Sequence, residues 1–366
     1  MTLHHLIAFL HRTERSIAVR DPNFQKHVVY ILGAGFSADL GLPVMANFIE
    51  RANDLAESDP DSQELLNSTL ATIERFHVAA TFYATDVFNI EEVLSLLEMQ
   101  GRLQSRAQLA DFRQFIKHVI GRLTPDLAQT THPVRWQQLL FWDHPWEEYC
   151  AFVANLHGYT FSLDGPVGAT PPSRDAYRVS VKTHRSARYS VISLNYDLVL
   201  ELASDNLNDR YNLDIRFGRS EGDSGTPLAK LHGSIDAGTL VPPTWQKTLD
   251  ETSVRDTWIR AYNILRTANE VRIIGYSLPE SDAYVRYLLK AAAIDTPNLK
   301  RIDVICRDET GRVKARYDEF VRFHGYRFIT GDTLSYLART TGRYGQWPDR
   351  IDPDHLEFAH QEFCGQ

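Results

Sequence analysis

Cysteine is scarce in this chain: Cys150, Cys306 and Cys364 are the only three among 366 residues. They stand far apart and no two form a C-x-x-C pair, which excludes a structural zinc site of the four-cysteine kind. So sparse and odd a count points to a reducing compartment. Long hydrophobic runs are also lacking. No stretch reaches the about 18 consecutive apolar residues that a membrane-spanning helix needs. The apolar run within Met1–Leu10 is too short for a signal peptide, and Arg12, Glu14 and Arg15 soon follow it. The expected location is the cytoplasm. Basic residues are in deficit, 39 against 47 acidic, for a net charge of −8. That disfavours a dedicated nucleic-acid binder, although it is compatible with a local basic patch.

What the chain does have is the composition of a globular protein, 43% hydrophobic and 23% charged, and enough length for one large or two ordinary domains. It is organised around residues 27–43, His27-Val-Val-Tyr-Ile-Leu-Gly-Ala-Gly-Phe-Ser-Ala-Asp-Leu-Gly-Leu-Pro43. Val28 to Leu32 is an apolar, β-branched and aromatic run, as in a strand buried on both faces of a parallel sheet. It leads into Gly33-Ala34-Gly35, where the missing Cβ permits a tight turn and a close approach to a ligand. From Ser37 the residues read as a helix start, whose N–H groups and dipole favour a phosphate. Strand, glycine turn and helix N-terminus make a dinucleotide-binding corner. A plain strand–helix turn reads equally well, because the third glycine of the usual fingerprint is replaced by Ala38.

Along the chain, residues 2–20 read as an amphipathic lead-in helix, and Glu57–Ser62 as a turn. From Gln63 to Leu123 a helical period dominates, with a capping box at Asn89 and Glu92 opening the helix Ile90–Met99 and another helix over 105–123. Aromatic residues between 134 and 157 (Trp136, Phe141, Trp142, Trp146, Tyr149, Phe152) continue as helical core rather than as a nucleic-acid platform, since no basic residues interleave them. Residues 159–175, with Gly165-Pro166 and Pro171-Pro172, read as a loop able to act as a lid. Strands are expected over 189–195, 228–231, 269–275, 301–306 and 327–332, and a helix over 281–293. The expectation is a single α/β domain, 1–366: a Rossmann-like parallel sheet from 27–55 and 186–335, a large helical insertion over 56–185, and a C-terminal helix and tail over 336–366.

Ligands of open parallel sheets bind at the carboxyl ends of the strands. Four such ends carry polar or glycine-rich groups: Gly33-Ala34-Gly35, Asn195 with Asp197, His232-Gly233, and Gly275-Tyr276-Ser277. Each has a bland alternative: an Asx-turn or N-cap for Asn195 and Asp197, a hydrogen-bonded loop histidine for His232, a simple turn at Gly275. Taken in order, G-A-G-x-S-x-x-x-G-x-P (33–43), S-L-N-Y-D (193–197), K-L-H-G-S (230–234) and G-Y-S-L-P (275–279) resemble the sirtuin (Sir2) superfamily. More closely, the chain resembles the bacterial Sir2-like proteins of anti-phage defence. Ile90-Glu-Glu-Val-Leu-Ser-Leu-Leu97 and Val241-Pro-Pro-Thr-Trp-Gln-Lys247 also look typical of that branch.

The resemblance implies that Gly33, Ala34, Gly35, Phe36 and Ser37 hold the pyrophosphate of NAD. It implies contacts of Asn195 and Asp197 with the nicotinamide ribose and carboxamide, His232 as general base, and Gly275, Tyr276 and Ser277 beside the adenosine ribose. Two departures bear on the reaction. Val44-Met45-Ala46 stand where sirtuin deacylases continue with Asp-Phe-Arg, and the four zinc cysteines of those deacylases are absent. The expected activity is therefore NAD glycohydrolysis, with NAD as substrate, Asn195 and His232 catalytic, and no zinc. An NAD-dependent deacylase or ADP-ribosyltransferase and a non-catalytic NAD- or ADP-ribose-sensing module are the alternatives. Family practice further implies a homo-oligomer and a partner such as a HerA-like hexameric ATPase or a short Argonaute-like protein, with no direct nucleic-acid or membrane contact.

Overall fold

The computed structural model describes residues 25–103, 107–125, 145–164, 178–220, 222–237, 239–241, 252–341 and 350–365. The expected lead-in helix over 2–20, the aromatics Trp136, Phe141 and Trp142, the loop segment 165–175 and the stretch 242–247 lie outside the described residues.

The elements in chain order are β1 (His27–Leu32), α1 (Phe48–Ala56), α2 (Pro60–Phe82), α3 (Ile90–Leu103), α4 (Ala107–Leu123), α5 (Trp146–Leu156), β2 (Tyr159–Asp164), β3 (Arg178–Thr183), β4 (Arg188–Ser193), α6 (Val199–Tyr211), β5 (Phe217–Gly218), β6 (Thr226–Lys230), β7 (Gly233–Ser234) and β8 (Thr239–Leu240). They continue with α7 (Thr252–Arg266), β9 (Glu270–Ile274), α8 (Ala283–Ile294), β10 (Arg301–Cys306), α9 (Arg312–Phe320), β11 (Tyr326–Thr330), α10 (Thr333–Thr340), β12 (Arg350–Ile351) and α11 (Pro353–Gly365).

Seven strands form one sheet in the order β11-β10-β9-β1-β4-β6-β5, and every pairing in it is parallel. This is the α/β, Rossmann-like sheet that the apolar runs predict. All six residues of β1 are buried. Because successive side chains of a strand face opposite ways, Val28, Tyr30 and Leu32 enter one core and Val29 and Ile31 the other. The first core is covered by α5, α6, α10, α11 and the helices of the insertion; the second by α7, α8 and α9. After β1 the chain builds outward on one side through β4 and β6, then returns to build β9, β10 and β11 on the other. The strand order thus reverses at β1. The crevice beyond the ends of β1 and β9 is the switch point where such sheets take ligands.

Several local expectations are corrected. No α-helix starts at Ser37: two 3₁₀ turns, Ala34–Phe36 and Ala38–Leu40, follow the glycine loop, and Gly41 ends the second in the left-handed region at φ 90°. Among the described residues the first α-helix begins at Phe48. Residues 159–164 are a strand and not a loop. It pairs antiparallel with β3 and β12 in a small second sheet, so residues 56–185 are not wholly helical. Helix α5 is buried at every residue and packs on α6, β2 and α10, within the main core. At the start of α3, Asn89 Oδ1 accepts from the N–H groups of Glu91 and Glu92, but the Glu92 carboxylate takes the Asp86 N–H, which makes half of the expected box.

The C-terminal segment carries two helices rather than a helix and a tail. The second, α11, docks through a buried ion-pair network. Arg272 on β9 is fully buried; it donates to both oxygens of Glu357 on α11 (2.9 and 2.7 Å), to Glu270 (2.9 Å) and to the Tyr30 hydroxyl (2.8 Å). Burial raises the Glu357 pKa, yet the guanidinium of Arg272, with Lys26, overrides it and holds the carboxyl at about 2. Beside it, burial and then Arg272 push His360 down to about 4, and burial and then Arg188 do the same to His27.

Two outcomes follow for stability. Glu357→Ala removes one of the two carboxylates that hold the buried Arg272 charge and is expected to cost about 3 kcal/mol in urea denaturation, the lower end for one partner of a buried pair. The depressed histidines keep the folded state unprotonated where the unfolded chain already binds protons. Their stabilising effect, complete above pH 6.5, is lost as pH falls through about 4, with the Glu357 share lost between about 4.5 and 2. Urea midpoints at pH 7, 5.5 and 4.5 should fall in that order, and less steeply for His360→Gln.

Candidate active site

The loops after β1 and β9 are pressed together. Gly33 N–H donates to Ile274 O at 3.0 Å and Gly35 N–H to Gly275 O at 2.9 Å, while Phe36 and Ser37 donate back to Gly33 and Ala34. Gly275 sits at φ 64°, and a Cβ there would lie 2.3 Å from Phe36 N; one on Gly33 would lie 2.6 Å from Gly275 O. Glycine is required at both positions by this approach of backbone to backbone. Three residues on, Leu278 is fully buried in the left-handed region at φ 51°, the kind of strain that collects at functional sites.

A cavity of about 810 Å³ opens over these loops, at the carboxyl edge of the sheet. That is ample for a nucleotide-sized ligand. Gly33, Ala34, Gly35, Asn195, Asp197, His232, Gly275, Tyr276 and Ser277 all line it. Phe36 and Ser37 do not. The Phe36 ring packs edge-on against Tyr149 at 5.1 Å in the core, and the buried Ser37 hydroxyl receives a hydrogen bond from Asn195.

Asn195 follows β4, whose parallel register with β1 sets it beside the glycine loop. Its Nδ2 donates to Gly33 O at 2.9 Å and to Ser37 Oγ at 3.3 Å, an assignment that places the amide oxygen on the other side. That oxygen, Oδ1, is buried and has no hydrogen-bond partner. A buried acceptor left open costs about 1–3 kcal/mol, which a ligand hydroxyl or a water would recover.

His232, after β6, is 2% exposed, with Nε2 3.5 Å from Asp282 Oδ2. The same carboxylate oxygen accepts from the Tyr276 hydroxyl at 2.8 Å. Asp197 has the bland role: its Oδ1 accepts from Val199 N–H at 3.1 Å, an Asx-turn that opens α6. Burial raises its carboxyl pKa, against the opposing pull of Lys230 and of the Ser37 hydroxyl.

Residues outside the sequence motifs complete the wall. Asp282 is one; in the sequence it looks only like the start of α8. Arg51, on α1, and Arg307, after β10, bring positive charge to the same cavity, and Asp39, Glu91 and Asp332 bring acids. Arg51 donates to Gly41 O at 3.0 Å, and Arg307 lies 3.6 Å from Asp39. Ile90 and Ile120 of the insertion also reach the cavity, so the inserted helices form part of its enclosure.

Elsewhere, Asp303, His360 and Cys364 bring three potential metal ligands within 4.8 Å of one another. Asp303 is already engaged by Arg327 (2.6 and 2.8 Å) and His360 (2.9 Å), and burial pushes the Cys364 thiol up to about 12. Two arginines, Arg272 and Arg327, surround the group. These contacts tie the group into the α11 docking network.

No family model matches the chain, and no curated protein matches it. Solved sirtuin structures are similar at a low level. A Sir2 complex with the inhibitor EX-527, 2'-O-acetyl-ADP-ribose and a deacetylated p53 peptide has 12% identity and TM-score 0.35, over 87% of this chain and 94% of that one. Sir2Tm bound to a propionylated peptide has 11% and 0.34, over 93% and 98%. A Sir2–p53 peptide–NAD+ complex has 12% and 0.36, over the same shares. Likeness at this level carries no functional weight; what the site can do is decided by its own side chains.

Gly275→Ala is expected to destabilise the fold by more than about 1 kcal/mol, since alanine meets both a positive φ and a backbone clash. Gly121→Ala, in α4 with open space around it, should be neutral or mildly stabilising. Thermal denaturation of the two variants checks the contrast.

Proposed function

We propose that this chain is a Sir2-like NAD glycohydrolase, which cleaves NAD to ADP-ribose and nicotinamide. One observation carries the reading: the open Asn195 Oδ1 and His232 share one cavity with two glycine-rich loops at the switch point of a parallel sheet. NAD lies across that crevice with its nicotinamide ribose at the Asn195–His232 end and its adenosine toward Cys306 and Asp332. Because the N–H groups of Gly33, Gly35, Phe36 and Ser37 are bonded within the loops, Arg51 and Arg307 supply much of the positive charge for the pyrophosphate.

Breaking the nicotinamide–ribose bond sends its electron pair to the positively charged ring nitrogen, so nicotinamide leaves neutral and needs no strong acid. An oxocarbenium-like centre develops at the ribose carbon and is met by an oriented water. Asn195 Oδ1 accepts a hydrogen bond from that water or from a ribose hydroxyl. The water's proton passes to the imidazole of His232, the side-chain type that most often serves as a general base. Val44-Met45-Ala46 in place of Asp-Phe-Arg and the lack of four zinc-binding cysteines weigh against protein deacylation.

The proposed setting is anti-phage defence by NAD depletion. An enzyme that drains NAD must stay silent until triggered. Control by homo-oligomerisation and by a separate partner, of the HerA-like ATPase or short Argonaute-like kind, is part of the proposal.

The test is NAD consumption by the purified protein, alone and with the product of its adjoining gene. Release of nicotinamide and ADP-ribose in equal amounts is expected, with turnover lowered by about 100-fold or more in His232→Ala and Asn195→Ala. Full activity in a folded Asn195→Ala variant would sink the assignment. NAD binding without turnover in any state would indicate a sensing module instead, and acyl-lysine turnover a deacylase.

A further inference from the structure

Asp282 occupies the N-cap of α8. An aspartate there ordinarily turns its carboxylate onto the first-turn N–H groups, an interaction worth about 1 kcal/mol. Asp282 makes no such bond. Its side chain, 1% exposed, instead reaches the Tyr276 hydroxyl at 2.8 Å and comes within 3.5 Å of His232 Nε2. A buried carboxylate costs several kcal/mol unless donors compensate it. The Tyr276 phenol supplies one such donor, and the imidazole of His232 lies next to the same oxygen.

We infer that Asp282 is the positioning residue of His232. Its carboxylate holds the imidazole proton on Nε2 and leaves the lone pair on Nδ1, the nitrogen that takes the proton from the attacking water. It then stabilises the imidazolium so formed. The separation of 3.5 Å is longer than a formed hydrogen bond, and catalytic contacts of this kind tighten when the ligand enters. Tyr276 fixes the carboxylate from the second side, through its own hydroxyl. Tyr196, with its ring 6.2 Å from the imidazole, and Glu91 and Asp197 on the cavity wall are the other ionisable groups of the surroundings. The consequence for turnover rests on the glycohydrolase reading; the pairing itself does not.

Two measurements on the full chain separate these. Nitrogen-15 NMR of histidine-labelled protein, with His232 assigned by difference against His232→Ala, should show the Nε2–H tautomer in the wild type and its loss in Asp282→Asn. In kinetics, Asp282→Asn keeps an acceptor for Tyr276 but loses the charge. It should lower kcat about 100-fold or more with KM unchanged, because it removes orientation and not substrate binding. Placed on His232→Ala, it should add less than about threefold, since the two act as a unit. An Nδ1–H tautomer in the wild type, a kcat within about threefold of wild type for Asp282→Asn, or an undiminished loss in the His232→Ala background would overturn the inference. A wild type that consumes no NAD, either alone or with the product of its adjoining gene, overturns the glycohydrolase reading instead, while the tautomer still decides the pairing.

Discussion

The contact between the loops after β1 and β9 is the constraint on which the site depends. Both strands are central and parallel, and β4 flanks β1 on its other side, so three strand ends emerge together. The loops can then meet only if nothing projects between them, which Gly33, Gly35 and Gly275 ensure. Bonds from Gly33 to Ile274 and from Gly35 to Gly275 lock the approach. Asn195 is in turn oriented by the carbonyl of Gly33, so its open Oδ1 is aimed by the backbone geometry that the glycines allow. The cavity floor and its polar side chain are products of one close contact.

Two buried polar groupings in this protein make an instructive contrast. Around Arg272 the charges are matched: two glutamates and a tyrosine hydroxyl surround the guanidinium, Lys26 pairs with the same glutamates, and the result is a helix pinned to a sheet. Around the cavity Asn195 Oδ1 is left open, and the Asp282 carboxylate turns from its helix cap to the Tyr276 hydroxyl. In a low-dielectric interior an unmet polar group is expensive. The first arrangement explains itself by stability. The second is what the proposed ligand would meet.

Strand β1 was legible because a strand buried on both faces reads as a near-continuous apolar run, as Val28–Leu32 does, while β4, β9 and β10 were legible from their β-branched residues despite Ser190, Arg272 and Asp303. Strand β2 was missed although Tyr159-Thr-Phe-Ser-Leu-Asp164 alternates strictly between apolar and polar residues, as does Arg178-Val-Ser-Val-Lys182 in the strand with which it pairs. The nearby glycine and proline pairs hid that period-2 signal. The helix expected at Ser37 failed for a different reason. Gly41, in the left-handed conformation, and Pro43 end the turns after the glycine loop before an α-helix can propagate.

By itself the sequence determined which residues are apolar enough to form the sheet and where glycine must stand. It also determined which polar residues end the strands. Only the tertiary structure decided which of those meet. It sets Asn195 against Gly33, and it brings His232 to an aspartate fifty residues on that looks like an ordinary helix cap. It places Arg51 and Arg307 on one wall and turns Phe36 and Ser37 away from it. The physical reason is that hydrophobic periodicity is local, whereas contacts at the end of a parallel sheet join segments whose separation in sequence is set by the crossovers between them.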